Sequence, residues 1–156
     1  MKEIHEQPKA VRDTLNSVLV DGKLDMSAVG LSDEDIKKID QICIVACGSA
    51  YHVGVAAQYV IEDLAQIPVR TELASEFRYR KPLLSKNELV IIVSQSGETA
   101  DSLAALRKAK EQGAKTLAIV NVVGSTIARE ADYVFYTLAG PGIAVATTKA
   151  YSAQLA

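Results

Sequence analysis

Apolar and polar positions follow two regimes along this chain. Up to about residue 40 the spacing is helical and the surroundings polar: Val11, Leu15, Val18 and Leu19 make an apolar stripe. Pro8 suits the first turn of that helix, where its missing N–H costs nothing, and Gly22 stops it. A second short helix is expected from Ser32, which with Asp35 has the spacing of a capping box ahead of Ile36 and Ile39, aspartate replacing the usual Glu or Gln.

From residue 41 onward short apolar runs alternate with helical stripes. "ICIVA" (42–46), "VRTEL" (69–73), "LVIIVS" (89–94), "KTLAIV" (115–120) and "YVFYT" (133–137) read as strands. Between the first two, Val53, Ala56, Ala57, Val60, Ile61 and Leu64 form a helical stripe that Pro68 ends. A further helix runs to Gly113, and "STIARE" makes a short one. Nearly unbroken apolar strands separated by helices predict an α/β fold: a three-layer α/β/α sandwich around a five-stranded parallel sheet, covered on both faces. The expected division is a helical leader over 1–40, packed on a domain over 41–156. In such sheets ligands bind outside the carboxyl ends of the strands.

Composition narrows the field. The chain has 156 residues, 49% of them hydrophobic, enough for one core. Seventeen basic against nineteen acidic residues leave a formal charge of -2, and no basic run could track a phosphate backbone, so nucleic acid is not an expected partner. With no signal-like start and no apolar run of bilayer length, a cytoplasmic protein without membrane contact is expected. The two cysteines, Cys43 and Cys47, flank "IVA" on one face of a strand and read as buried thiols, with no metal spacing. No metal or cofactor is expected: a G-x-x-x-x-G-K-[ST] loop is absent, and "GPGIAV" (140–145) has Val145 where a dinucleotide fingerprint needs its third glycine.

The candidate chemistry lies in "SQSGET", 94–99, where the strongest strand gives way to a helix. Backbone N–H groups that a helix cannot use internally point out of its N-terminus and favour an anion. Ser94, Ser96 and Thr99 add hydroxyls, Gln95 an amide, and Gly97 permits close backbone approach. No cation lies within the hexapeptide, so this cradle suits a phosphomonoester held by neutral donors, with Glu98 expected to face away. Taken alone, Ser96 could equally be a plain N-cap. "CGSAYH" (47–52) and "VGSTIA" (123–128) repeat the pattern of a strand, Gly-Ser and a helix, and three such loops at one sheet end suggest a pocket rim.

"SQSGETADSL", "ACGSAYH", "ASEFRYR", "NVVGSTIAREAD" and "VATTKAYSAQL" together resemble the isomerase region of the glutamine:fructose-6-phosphate aminotransferases, also called glucosamine-6-phosphate synthases. The resemblance implies the first of two SIS (sugar isomerase) domains, flavodoxin-like or Rossmann-like. Such an enzyme converts fructose 6-phosphate and glutamine to glucosamine 6-phosphate and glutamate. It implies phosphate contacts from Ser94, Gln95, Ser96 and Thr99, with Ser49 from the loop beginning Cys47-Gly48, and sugar contacts from Cys47, Gly48, Val145 and Thr147. Departures from the family pattern are Ser49 and Ala50 after Cys-Gly, Gly142 where a glutamate is frequent, and Ala144 where a glycine is frequent.

The resemblance places the base, the Schiff-base lysine and the ring-opening histidine in a second SIS domain and a C-terminal tail, so no catalytic residue is expected here. The chain alone should bind fructose 6-phosphate or glucosamine 6-phosphate but not turn it over. Implied partners are the second SIS domain, a glutaminase domain and a second copy in a homodimer. His5 and His52 are weak substitutes for a base, Lys149 reads as a surface lysine, and Glu76 to Arg80 as a solvated helix face. "TTKAYSAQLA" reads as a helix still in progress, and a truncated domain is expected. The alternative is a stand-alone sugar-phosphate sensor built on the same domain.

Overall fold

The computed structural model describes residues 1–142 and 147–156. In chain order, helix α1 (Lys2–Asn16) is followed by a hairpin of β1 (Leu19–Val20) and β2 (Lys23–Leu24), a 3-10 turn (Ser27–Val29) and α2 (Asp33–Lys38). Strands and helices then alternate: β3 (Gln41–Ala46), α3 (Gly48–Ala65), β4 (Val69–Leu73), α4 (Ala74–Phe77), β5 (Glu88–Ser94), α5 (Ala100–Glu111), β6 (Lys115–Val120), α6 (Thr126–Glu130), β7 (Tyr133–Tyr136) and α7 (Thr148–Leu155).

The five strands from β3 onward form one parallel sheet in the order β4-β3-β5-β6-β7. Alternation along each strand feeds two cores. Ile42, Ile44 and Ala46 join Leu89, Ile91 and Val93 on the face covered by α3. Cys43 and Val45 join Val90 and Ile92 on the face covered by α5, with Phe77, Leu106 and Ile127. Both faces are therefore apolar, as a buried parallel sheet requires. Cys43 is fully buried on the α5 side, and desolvation pushes its thiol up to about 12, which leaves it inert at neutral pH.

The first forty residues depart from the expected pattern. Pro8 sits inside α1, not in its first turn. The Ile4 carbonyl, which Pro8 cannot serve, accepts a hydrogen bond from Gln7 Nε2 at 3.3 Å, which lets the helix continue. The buried face of α1 is Ala10 and Thr14, against α7, whereas Leu15 is exposed and Leu19 lies in β1. Asp21 and Gly22 both have positive φ and form the two-residue turn of the hairpin. The capping box of α2 forms as expected, Asp35 N–H donating to Ser32 Oγ at 3.1 Å and Ser32 N–H to Asp35 Oδ2 at 3.3 Å.

The stripe on α3 is also narrower than its spacing implied: Ala56, Val60 and Leu64 are exposed, and the helix meets the sheet through Ala50, Gly54, Ala57 and Ile61. A Cβ at Gly54 would stand 2.8 Å from both Ile44 Cγ2 and Thr71 Cγ2, so the helix seats on the sheet through a glycine. The segment 76–80 is solvated only in part: Glu76, Tyr79 and Arg80 are exposed, but Phe77 is fully buried, Arg78 pairs with Asp101 at 2.6 Å, and Arg80 pairs with Glu72. Phe77→Ala should lower the unfolding free energy by about 3–5 kcal/mol, as for a fully buried aromatic. Tyr79→Ala, two residues on and 80% exposed, should change it by less than about 0.5 kcal/mol; urea unfolding of both variants checks the pair.

Candidate functional site

β3 and β5 are neighbours in the middle of the sheet and run in register to their ends, Ala46 beside Val93. The chain goes from β3 to β4 on one side and returns to β5 on the other, so the winding direction reverses between these two strands. Their following helices, α3 and α5, lie on opposite faces with their N-termini at the same end of the gap. This is where open α/β sheets bind ligands.

Neither helix start is closed by its own cap. Cys47 is the N-cap of α3 and Thr99 that of α5, and neither makes a side-chain capping bond. Thr99 Oγ1 instead shares a hydrogen bond with Ser94 Oγ at 3.1 Å, and Ser94 Oγ accepts the Gly97 N–H at 3.1 Å. Ser96 Oγ accepts the Glu98 N–H at 3.2 Å. The hydroxyls thus hold the loop's shape, with Ser94 buried and Gln95, Ser96 and Thr99 half-buried at the rim. Ser49 is exposed at the start of α3. Cys47 is half-buried, not buried as expected, and its Sγ accepts from Ser102 Oγ on α5 at 3.8 Å, joining the two helix starts.

Two carboxylates near an anion would repel it, and both are drawn aside. Glu98 faces away as anticipated, its Oε1 accepting the Thr126 N–H at 2.7 Å, which holds the carboxyl below the usual carboxylate range. Asp101, in the first turn of α5, accepts from Arg78 Nη1 at 2.6 Å. No acidic residue lies in the first turn of α3.

The third glycine loop has a different role from the other two. With Thr126 N–H given to Glu98 and Ile127 N–H to Gly97 O at 3.0 Å, the start of α6 is occupied by the protein itself. Asn121 N–H also donates to Gln95 O at 3.1 Å. The loop after β6 is therefore a brace behind the loop after β5. Its fit explains Gly97, whose φ is +67°: a Cβ there would lie 2.5 Å from Ser125 Cβ and closer still to its Oγ. Sequence reasoning missed this brace, and it missed Asn121, whose Oδ1 accepts the Ala139 N–H at 2.9 Å and whose Nδ2 donates to Gly140 O at 2.9 Å.

Thr147 is buried, and a Cβ at Gly142 would stand 2.6 Å from Thr147 Cγ2 and 3.5 Å from Gln95 Nε2. Of the residues expected to touch the sugar, Cys47, Gly48 and Thr147 are thus at this sheet end, while Val145, like the departure Ala144, lies outside the described residues. The glycine at 142 packs closely in this chain, and a glutamate could enter only if Thr147 moved. Lys149 is not the surface lysine expected: it is buried and donates to Glu6 Oε2 at 2.8 Å. His52 is exposed. A surface groove of about 740 Å³ lies outside α5 and α6. Arg107 there is bound to Glu130 and Arg129 to Gly124 O, which makes it a solvated ionic face. Among the described residues no cluster could hold a metal ion, and no helix is long and apolar enough to cross a membrane.

The SIS domain family model matches residues 35–156. The chain belongs to the SIS domain family. It is 58% identical over 156 residues to a glutamine–fructose-6-phosphate aminotransferase (isomerizing) of Clostridium acetobutylicum, covering 99% of this chain and 26% of that protein. It is 55% identical to the Mycobacterium tuberculosis protein of the same name, over 100% of this chain and 25% of the relative. The chain thus spans about a quarter of the length of these curated relatives. Among solved structures, the C-terminal domain of glucosamine-fructose-6-phosphate aminotransferase from Francisella tularensis superposes with a TM-score of 0.91 at 45% identity, covering 98% of this chain and 43% of that one. The RpiR transcription factor sugar isomerase domain from Sphaerobacter thermophilus, at 23% identity and a TM-score of 0.75, shares the SIS fold.

Two outcomes test this geometry. Gly48 and Gly97 both have left-handed φ, but a Cβ at Gly48 meets nothing within 4 Å. Gly48→Ala should therefore cost only backbone strain, about 1–2 kcal/mol, and Gly97→Ala clearly more, in urea melts of the two variants. Glu98 has a folded pKa below its unfolded value, so its stabilising contribution is complete above the ordinary carboxylate range and is lost as pH falls through the folded pKa. The stability gap between the native chain and Glu98→Gln should be widest at pH 7 and close on acidification below the carboxylate range; a constant gap from pH 7 to 3 would refute it.

Proposed function

We propose that this SIS domain is the sugar-phosphate-binding half of the isomerase region of a glutamine:fructose-6-phosphate aminotransferase, taking fructose 6-phosphate or glucosamine 6-phosphate. The observation that carries the reading is the pair of uncapped helix starts, α3 and α5, at the ends of adjacent strands, with Glu98 and Asp101 both turned to other partners. Together the two starts offer amide dipoles equivalent to roughly one positive charge, and neutral hydroxyls around them. A phosphomonoester fits that charge and donor set.

In this reading Ser94, Gln95, Ser96 and Thr99 hold the phosphate from the β5 side and Ser49 from the β3 side. Cys47, Gly48 and Thr147 lie along the carbon chain of the sugar, and Val145 is assigned there by the resemblance alone. Anchoring the phosphate orients the first two carbons of the sugar for a proton transfer between them, which needs a positioned base. That base, and the lysine that would form an imine, come in this reading from a second SIS domain, and ammonia from a glutaminase domain. Binding belongs to this chain and turnover to the assembled enzyme, a homodimer.

Titration with fructose 6-phosphate and with fructose, followed by heat or amide shifts, tests the assignment. Binding should require the phosphate, and Ser96→Ala should weaken it about ten- to hundredfold, the worth of a hydrogen bond to a charged group. Equal binding of fructose, or an unchanged affinity in Ser96→Ala, would overturn it.

A further inference from the structure

The family match begins at residue 35, so α1 lies outside it. Yet α1 holds the segment that carries Thr147. Lys149, in the first turn of α7, is only 7% exposed, and its partner at 2.8 Å is Glu6 on α1. Lys149 holds the Glu6 carboxyl below its ordinary range. Ser152 Oγ donates to Gln7 Oε1 at 2.5 Å, and the Leu138 N–H donates to Thr14 Oγ1 at 2.9 Å. Ala10, Ala139 and Ala153 fill the space between with small side chains.

A lysine this deep would be an unpaired buried charge without its carboxylate, so its place in the fold depends on α1. The ammonium also lies against the turn that leads to the site: a Cβ at Gly140 would come within 3.9 Å of Lys149 Nζ. The same turn is tied to the sheet by Asn121 and packs through Gly142 onto Thr147 beside Gln95. The phosphate loop, by contrast, is braced from β6 through Gln95 O, Gly97 O and Glu98. Asn121 serves both ends, but only the sugar end is also held by α1, and only the phosphate loop by Glu98 and the start of α6.

We propose that Glu6 and Lys149 are positioning residues for the sugar end of the site: their ion pair fixes Gly142 and Thr147 relative to Gln95, while the phosphate loop is braced by contacts that do not involve α1. This rests on the sugar-phosphate reading above. It predicts that loosening α1 changes recognition of the sugar and leaves recognition of the anion intact.

The test is an amide-shift titration of the purified chain, as native, Glu6→Gln and Glu6→Ala, with fructose 6-phosphate and separately with inorganic phosphate. Fructose 6-phosphate should bind about tenfold more weakly to Glu6→Ala and less weakly to Glu6→Gln, which keeps a polar partner for Lys149. Inorganic phosphate should bind all three within about twofold. Equal weakening of both ligands, or no change in either, would overturn the proposal. Should Glu6→Ala not fold, Glu6→Gln alone carries the comparison. If the native chain binds neither ligand, the sugar-phosphate reading fails. The positioning role is then decided on the ligand-free spectra: shifts confined to Gly140, Gly142, Thr147 and the first turn of α7 uphold it, and shifts spread over the sheet or absent from these residues overturn it.

Discussion

β3 is paired with β4 on one side and with β5 on the other, so the chain cannot continue winding in one direction and must return across its own first sheet strand. A parallel connection is right-handed, and that rule sends the helix after β3 to one face and the helix after β5 to the other. Both helices nevertheless begin where their strands end, and the register sets Ala46 beside Val93. Two helix starts are thereby aimed at one gap by topology alone, before any side chain is specified. The polar loops have chemistry to offer because the fold leaves that gap open.

Once the gap exists, its charge must be managed. The first turns contribute partial positive charge through backbone dipoles, while favourable helix-start residues are acidic and would cancel it. This chain keeps two such acids and neutralises their effect by geometry. Glu98 becomes the cap of α6, and Asp101 is held by Arg78, a residue from the segment between α4 and β5. The same bond that removes Glu98 from the gap locks the loop after β6 behind the loop after β5. Electrostatic clearing and mechanical bracing are therefore one contact, and Gly97 is required because nothing larger fits between the braced loops.

The strands and the capping box of α2 were legible because each depends on local pattern: apolar runs for buried parallel strands, and the Ser32 to Asp35 spacing for the cap. The place of the candidate loop was legible too, since "SQSGET" lies where the strand β5 gives way to the helix α5. What failed was anything set by a distant partner. Lys149 reads as exposed until Glu6, 143 positions earlier, is seen beside it. Phe77 and Arg78 read as part of a solvated face because the core that buries one and the Asp101 that pairs the other lie on other elements. The stripe through Val60 and Leu64 has helical spacing, but spacing does not say how wide a face the sheet covers. The Asp21-Gly22 turn was different in kind: its signal was local and was read as a helix stop instead of a hairpin.

The loop's own hydrogen bonds bear on how it would bind. Ser94 Oγ accepts the Gly97 N–H and Ser96 Oγ accepts the Glu98 N–H, so the two serines that would hold the phosphate already shape the backbone around it. Ser96 Oγ keeps its own proton to donate while it accepts the Glu98 N–H, and the Ser94–Thr99 pair, which spends one proton on its mutual bond, keeps the other, so an arriving anion can be served without dismantling the loop. The ordering cost is met during folding, which favours affinity from preorganised neutral donors over affinity from mobile cations. Such a site discriminates by shape as well as charge. Under the proposed function, its sugar end, held through Lys149 by a helix from the other end of the chain, would decide which phosphomonoesters fit.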